Sequence, residues 1–127
     1  MRGGFSERDF VARNPEFLTL VSTIVNLIVR GEYEVVEAMT RGQRLSANDL
    51  EDAVRAYGRH LIPPPPGSWA KLHVVAVKRR IGRREAYVAV VPMWTEEEGE
   101  SDVALELRVR RAAQGLWDAE VLDLHVL

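Results

Sequence analysis

Between Phe17 and Val29, nine of thirteen residues are apolar, and they fall on almost every side of a helix. Thr19, Ser22, Thr23, Asn26 and Arg30 leave only a narrow polar stripe at helical spacing. Asn14 suits the N-cap, where its side chain can accept from a free backbone N–H, and Pro15 suits the first helical position. Gly31 supplies the stop. The run is too short and too interrupted to span a bilayer. A helix of this kind must be covered on most of its circumference. It is therefore read as the central core helix, and the rest of the chain must build its cover.

Two further helices are expected next. Glu32 to Thr40 has Tyr33, Val36 and Met39 at three-residue spacing and Gly42 as a stop. Ser46 caps a third helix with Asp49 three residues on, and Leu50, Ala53, Val54 and Tyr57 form its inward face up to Gly58. Ser6 to Asp9 suggests a single helical turn anchored by Phe5 and Phe10. Pro63 to Pro66 predicts a stiff polyproline II connector into the second half of the chain.

From Lys71 the period changes to two. Leu72, Val74 and Ala76 alternate with His73, Val75 and Val77, and a hairpin turn is expected around Gly82. The return strand puts Ala86, Val88, Val90 and Trp94 toward the core and Tyr87, Ala89, Val91 and Met93 away from it. Pro92 suits an edge or a bulge. The third strand has Val103, Leu105, Leu107 and Val109 inward and Glu106, Arg108 and Arg110 outward. A fourth puts Leu122, Leu124 and Val126 inward, with Asp123 and His125 outward. The expectation is a single α+β domain over residues 1–127: three N-terminal helices packed on a curved four-stranded antiparallel meander.

Composition narrows the classes of function. A net charge of −2 argues against a general nucleic-acid coat, although local basic patches stay possible. The absence of cysteine removes disulfides, thiolate metal sites and cysteine nucleophiles, and it fits a cytoplasmic protein. The polar start Met1 to Asp9 has no apolar stretch of signal-peptide type, and no membrane association is expected.

On a four-stranded meander the charges separate. Arg79, Arg80, Arg83, Arg84, Arg108, Arg110 and Arg111 collect near one end of the sheet; Glu96, Glu97, Glu98, Glu100 and Asp102 collect on the hairpin at the other. Either set can be a solvated loop that blocks edge pairing or a patch read by a protein partner. The acids do not follow the spacing of a calcium loop, and no aromatic platform is interleaved with the arginines.

Motifs for chemistry are sparse. No two of His60, His73 and His125 stand at the spacing of a helical zinc site, and neither a nucleophile elbow nor a phosphate-binding glycine loop is present. Asp102, Glu106 or Asp123 with Tyr57 or Tyr87 could in principle do acid–base work. No catalytic, cofactor or metal residue is assigned.

The order of helices and strands resembles the NTF2-like, cystatin-like α+β superfamily, with Val29-Arg30-Gly31-Glu32-Tyr33-Glu34 similar to its helix junction. That resemblance implies a cone between helix and sheet, in which enzymatic members place an Asp or His. Trp94-Thr95-x-Glu97-Glu98-Gly99-x-Ser101-Asp102-x-x-Leu105-Glu106-Leu107 and the ending Asp123 to Leu127 resemble a small uncharacterised bacterial domain family. By analogy with small families of this type, an accessory role is expected.

Two functional readings follow. The favoured one is a non-enzymatic interaction protein, homodimeric through an outer sheet face of Val75, Val77, Tyr87, Val91 and Met93. The alternative is a small-molecule-binding protein or acid–base enzyme whose pocket has Tyr57, Trp69, Trp94 and Trp117 at its mouth.

Overall fold

A computed structural model describes residues 6–42, 44–77, 85–112 and 116–126. Among them the fold is α+β, with four helices followed by a five-stranded antiparallel sheet. Helix α1 (Glu7–Arg13) is longer than the single turn expected, and Ser6 Oγ accepts from Asp9 N at its start. Its Phe10 packs on Phe17 at 4.9 Å between ring centroids.

Helix α2 (Pro15–Val29) is the core helix. Phe17, Val21, Ile24, Val25, Leu27 and Ile28 are buried along it. It ends as expected: Gly31 takes φ 76°, and Glu32 N donates to Leu27 O at 2.9 Å. Its start differs. Asn14 makes no side-chain cap; its Nδ2 donates to Phe10 O and its Oδ1 accepts from Arg111. Asn14 thus ties the α1–α2 corner to the sheet.

Helix α3 (Tyr33–Thr40) buries Val36 and Thr40. Helix α4 (Ala47–Tyr57) carries the expected reciprocal cap, with Ser46 Oγ accepting from Asp49 N and Asp49 Oδ2 from Ser46 N. Glu37 of α3 accepts from Ala47 N at the same helix start.

The proline run does more than connect. Just before it, β1 (Leu61–Ile62), a segment too short to show a period in sequence, pairs with Trp94 and Thr95. The chain then makes a 3-10 helix over Pro66–Lys71 and enters β2 (His73–Ala76). Both β1 and β2 lie on the same side of β3 (Ala86–Thr95), which pairs on its other side with β4 (Gly99–Arg111). Strand β5 (Trp117–Val126) completes the sheet. The outer edge of β2 is closed by Glu7 of α1, whose Oε2 accepts from Val74 N at 2.9 Å.

Two irregularities reset the register. Between Pro92 and Trp94 the ladder jumps from the Pro92–Ala104 pair to Trp94–Glu100. Ser101 fills this gap, donating to Met93 O at 2.8 Å and accepting from Val103 N at 3.2 Å. In the second, Glu106 pairs with Asp123 but Leu107 pairs with Val121, so Leu122 is the extra residue. Leu122 is therefore not an inward position; Ala119, Val121 and Leu124 are the buried ones, and Val126 is exposed.

The helices cover the face of the sheet that carries Val74, Ala89, Val91, Met93, Leu105 and Leu107. This reverses the sides expected for the second long strand. Tyr87 also faces the helices, with its ring 4.3 Å from Phe10, and Trp117 completes the aromatic group around Phe17. Phe17→Ala should cost about 3–5 kcal/mol in urea unfolding, whereas Thr23→Ala, exposed on the same helix, should stay within about 0.5 kcal/mol.

Candidate functional site

Two surfaces gather the residues singled out from the sequence. The first is the hairpin between β3 and β4, with Glu96, Glu97 and Glu98 in the turn and Gly99 at φ 76°. Its acids do not all point to solvent. Glu97 reaches His60, accepting from His60 N at 2.9 Å and meeting His60 Nδ1 at 2.7 Å. Glu98 accepts from Tyr57 Oη at 2.7 Å and from Thr95 Oγ1 at 3.0 Å. Glu96 N donates to His60 O at 2.8 Å. The hairpin is thus clasped to the end of α4 and the segment before β1. All five acids, Glu100 and Asp102 among them, are exposed, but only Glu97 and Glu98 hold the clasp with their side chains.

The clasp shifts its own ionisable groups. The hydrogen bond to Glu97, then its charge, raises the His60 pKa above its ordinary value, while the bonds from the His60 backbone and ring lower that of Glu97. The Tyr57 hydroxyl is raised, chiefly by its hydrogen bond to Glu98.

The second surface is the sheet face turned away from the helices. Register places its rows. Val75 stands beside Val88, Val88 beside Arg108, and Arg108 beside Glu120; the next row runs His73, Val90, Glu106, Asp123. This face is therefore apolar at Val75, Val88 and Val90, with His73 beside them paired to Glu7, and charged across β4 and β5. The cations on the charged half are engaged: Arg108 with Glu120 and Arg110 with Asp118, each at 3.2 Å. Arg111 faces the other way, 2.9 Å from Glu85 and with its guanidinium 4.2 Å from the Trp117 ring centroid. Arg79, Arg80, Arg83 and Arg84 lie outside the described residues.

Of the expected dimer face, Val75 is 48% exposed and Val77 is half-buried, but Val91 and Met93 are core residues and Tyr87 is half-buried against the core at Phe10 and Phe17. The cause is the composition of β3. It is apolar on both faces, so alternation alone does not say which face turns inward. Val88 and Val90 occupy the outer positions instead.

The four aromatics of the expected pocket mouth do not share one site. Tyr57 belongs to the clasp and Trp117 to the aromatic group around Phe17. Trp69 and Trp94 meet where the 3-10 helix separates β1 from β2, with Pro64, Leu72 and Val91, around a space of about 20 Å³. That holds no more than a water. A wider groove of about 840 Å³ lies open between α3 and α4, bordered by Tyr33, Glu34, Glu37, Arg41, Asn48 and Glu51.

The sequence did not bring out one group that the register assembles. Glu106, Asp123 and His125 were each placed outward, but only the β4–β5 pairing with its extra residue at Leu122 puts them side by side.

An α+β domain of four helices over a split-edged antiparallel sheet is thus the class of protein in hand. The chain belongs to the family described as a domain of unknown function (DUF7668), which matches residues 25–127, from the middle of α2 through the whole sheet. No curated protein matches it, and no solved structure matches it.

The clasp predicts a pH window. The raised His60 contributes fully below its ordinary value of 6.5 and loses its contribution as pH rises through the raised value in the folded protein. The lowered Glu97 contributes fully above its ordinary value of 4.5 and loses its contribution as pH falls through the lowered one. The stability difference between wild type and His60→Ala, followed by urea midpoints, should be greatest between pH 4.5 and 6.5 and shrink on both sides.

Proposed function

We propose that the protein is a non-enzymatic interaction module, homodimeric through the apolar half of its outer sheet face. The observation that carries this reading is the patch of Val75, Val88 and Val90, which lies on the side of the sheet opposite the helices and is bordered by the paired charges of β4 and β5. An apolar centre with a polar rim is the anatomy of a protein interface. A second copy of the chain presents the same valines and the same rim, so a two-fold contact buries like against like.

The interior supports this reading over a small-molecule pocket or an acid–base enzyme. Besides Asn26 Oδ1 and Trp117 Nε1, atoms shut off from solvent without a hydrogen-bond partner, the polar residues buried as a whole among the described residues are Thr40, Thr95 and Ser101. Each is committed to a hydrogen bond: Thr40 to Val36 O, Thr95 to Glu98 and Ser101 to Met93 O. The order of helices followed by an antiparallel meander supports an NTF2-like reading of the fold, here with a packed rather than a hollow interior.

Light scattering on the eluting protein at micromolar concentration should give twice the 14.3 kDa of the chain. Val88→Asp should elute as a folded monomer, and Glu34→Gln, on an exposed helix position, should remain a dimer. A wild-type monomer at that concentration would falsify the reading.

A further inference from the structure

The row of Glu106 and Asp123 is at odds with its neighbours on the same face. Arg108–Glu120 and Arg110–Asp118 are directly opposed pairs of unlike charge. Glu106 and Asp123 are also directly opposed, but both are acids. Like charges at such positions destabilise a sheet. Val90, on the other side of Glu106, supplies no charge, and Arg108 is engaged with Glu120.

What stands between the two carboxylates is the imidazole of His125. Its Nε2 lies 3.2 Å from Glu106 Oε2, and its Nδ1 lies 3.2 Å from Asp123 Oδ2. Nδ1 is shut off from solvent and has no hydrogen-bond partner among the described residues. This contrasts with His60, whose Nδ1 meets its carboxylate at 2.7 Å as a hydrogen bond. Two ligands of one tetrahedral zinc, at bond lengths of about 2.0–2.2 Å, stand roughly 3.3 Å apart; one zinc takes a single ring nitrogen, and the Nδ1–Asp123 separation is close to that value. One ligand atom from each of the three side chains can be chosen so that all lie within 4.8 Å of one another. The extra residue at Leu122 creates this arrangement. Without it the alternation that buries Ala119 and Val121 would turn Asp123 inward too; with it, Leu124 is buried and Asp123 and His125 share the outer face with Glu106.

We infer that Glu106, Asp123 and His125 form a binding site for a divalent transition cation of the zinc type on the outer face of the sheet. Each side chain supplies one ligand atom, and water completes the shell on the solvent side. The cation neutralises the opposed acids and takes the lone pair of a neutral imidazole. An imidazole with two carboxylates favours zinc or manganese over calcium, which prefers a shell of six to eight oxygens. The site shares no residue with the proposed dimer contact of Val75, Val88 and Val90, although Glu106 stands beside Val90 at its border.

The test is calorimetric titration of the chelator-treated full chain with zinc, manganese and calcium chloride near neutral pH. One zinc should bind per chain, with calcium at least tenfold weaker. His125→Ala should weaken zinc at least tenfold, and Glu106→Gln and Asp123→Asn should weaken it in the same direction. His60→Ala and His73→Ala, which remove the histidines beside Glu97 and Glu7, should leave it unchanged. Nitrogen-15 spectra of the wild-type histidine rings need no variant: zinc should move the His125 signals alone. The inference is overturned if wild type shows no saturable zinc binding, if His125→Ala retains it, or if all three histidines respond alike.

Discussion

Much of this fold follows from having to bury one broad face of α2, while Leu18, Leu20 and Val29 stay half-buried and Thr19 and Thr23 exposed. Six of its fifteen residues are buried apolar side chains, each contributing roughly 1.5–3 kcal/mol when removed from water. One neighbouring helix cannot cover so wide a surface. The chain meets the demand with α1, α3 and the inner face of the sheet at β4 and β5, each ten residues or longer, while α4 packs on α3 and β5. Other features secure that cover: Asn14 and Arg111 tie the α1–α2 corner to β4, Glu7 closes the edge at β2, and the Glu97 and Glu98 clasp pins the β3–β4 hairpin to the end of α4.

How far the chain could be read without coordinates depended on whether a segment's two faces differ. In β4 they do: Val103, Leu105, Leu107 and Val109 alternate with Glu106, Arg108 and Arg110, and all four are buried as expected, joined by Ser101 and Ala104 near the bulge. The reciprocal cap of Ser46 and Asp49 and the stop at Gly31 are equally local, and both are present. In β3 every position from Ala86 to Met93 is apolar or aromatic, apart from Pro92, so burial could be assigned to either side, and the side with Tyr87, Val91 and Met93 is the one that faces the helices. The bulges are a second kind of limit. An extra residue such as Leu122 has no signature of its own, yet it reverses the sides of everything after it.

The same limits governed the candidate sites. Density of charge made the Trp94 to Asp102 stretch conspicuous, but Glu97 and Glu98 turn out to be spent on holding the hairpin. The arginines Arg108 and Arg110 are balanced across the ladder by Glu120 and Asp118. What stays uncommitted is the outer face itself, apolar on one half and carrying the opposed acids with His125 on the other. Neither half is visible until strands distant in sequence are set in register.

The central claim is that Val88 and Ala89 face opposite sides of the sheet and that the Val88 side is covered by a second copy. The chain has no cysteine, so a single engineered thiol reports on one position alone. The decisive measurement is the rate at which Val88→Cys reacts with a thiol reagent across a range of protein concentrations, with Ala89→Cys beside it. Val88→Cys should react readily when dilute and become protected as concentration rises, while Ala89→Cys stays protected throughout. A Val88→Cys rate that does not change with concentration would contradict the dimer, and a reactive Ala89→Cys would contradict the placement of the two faces.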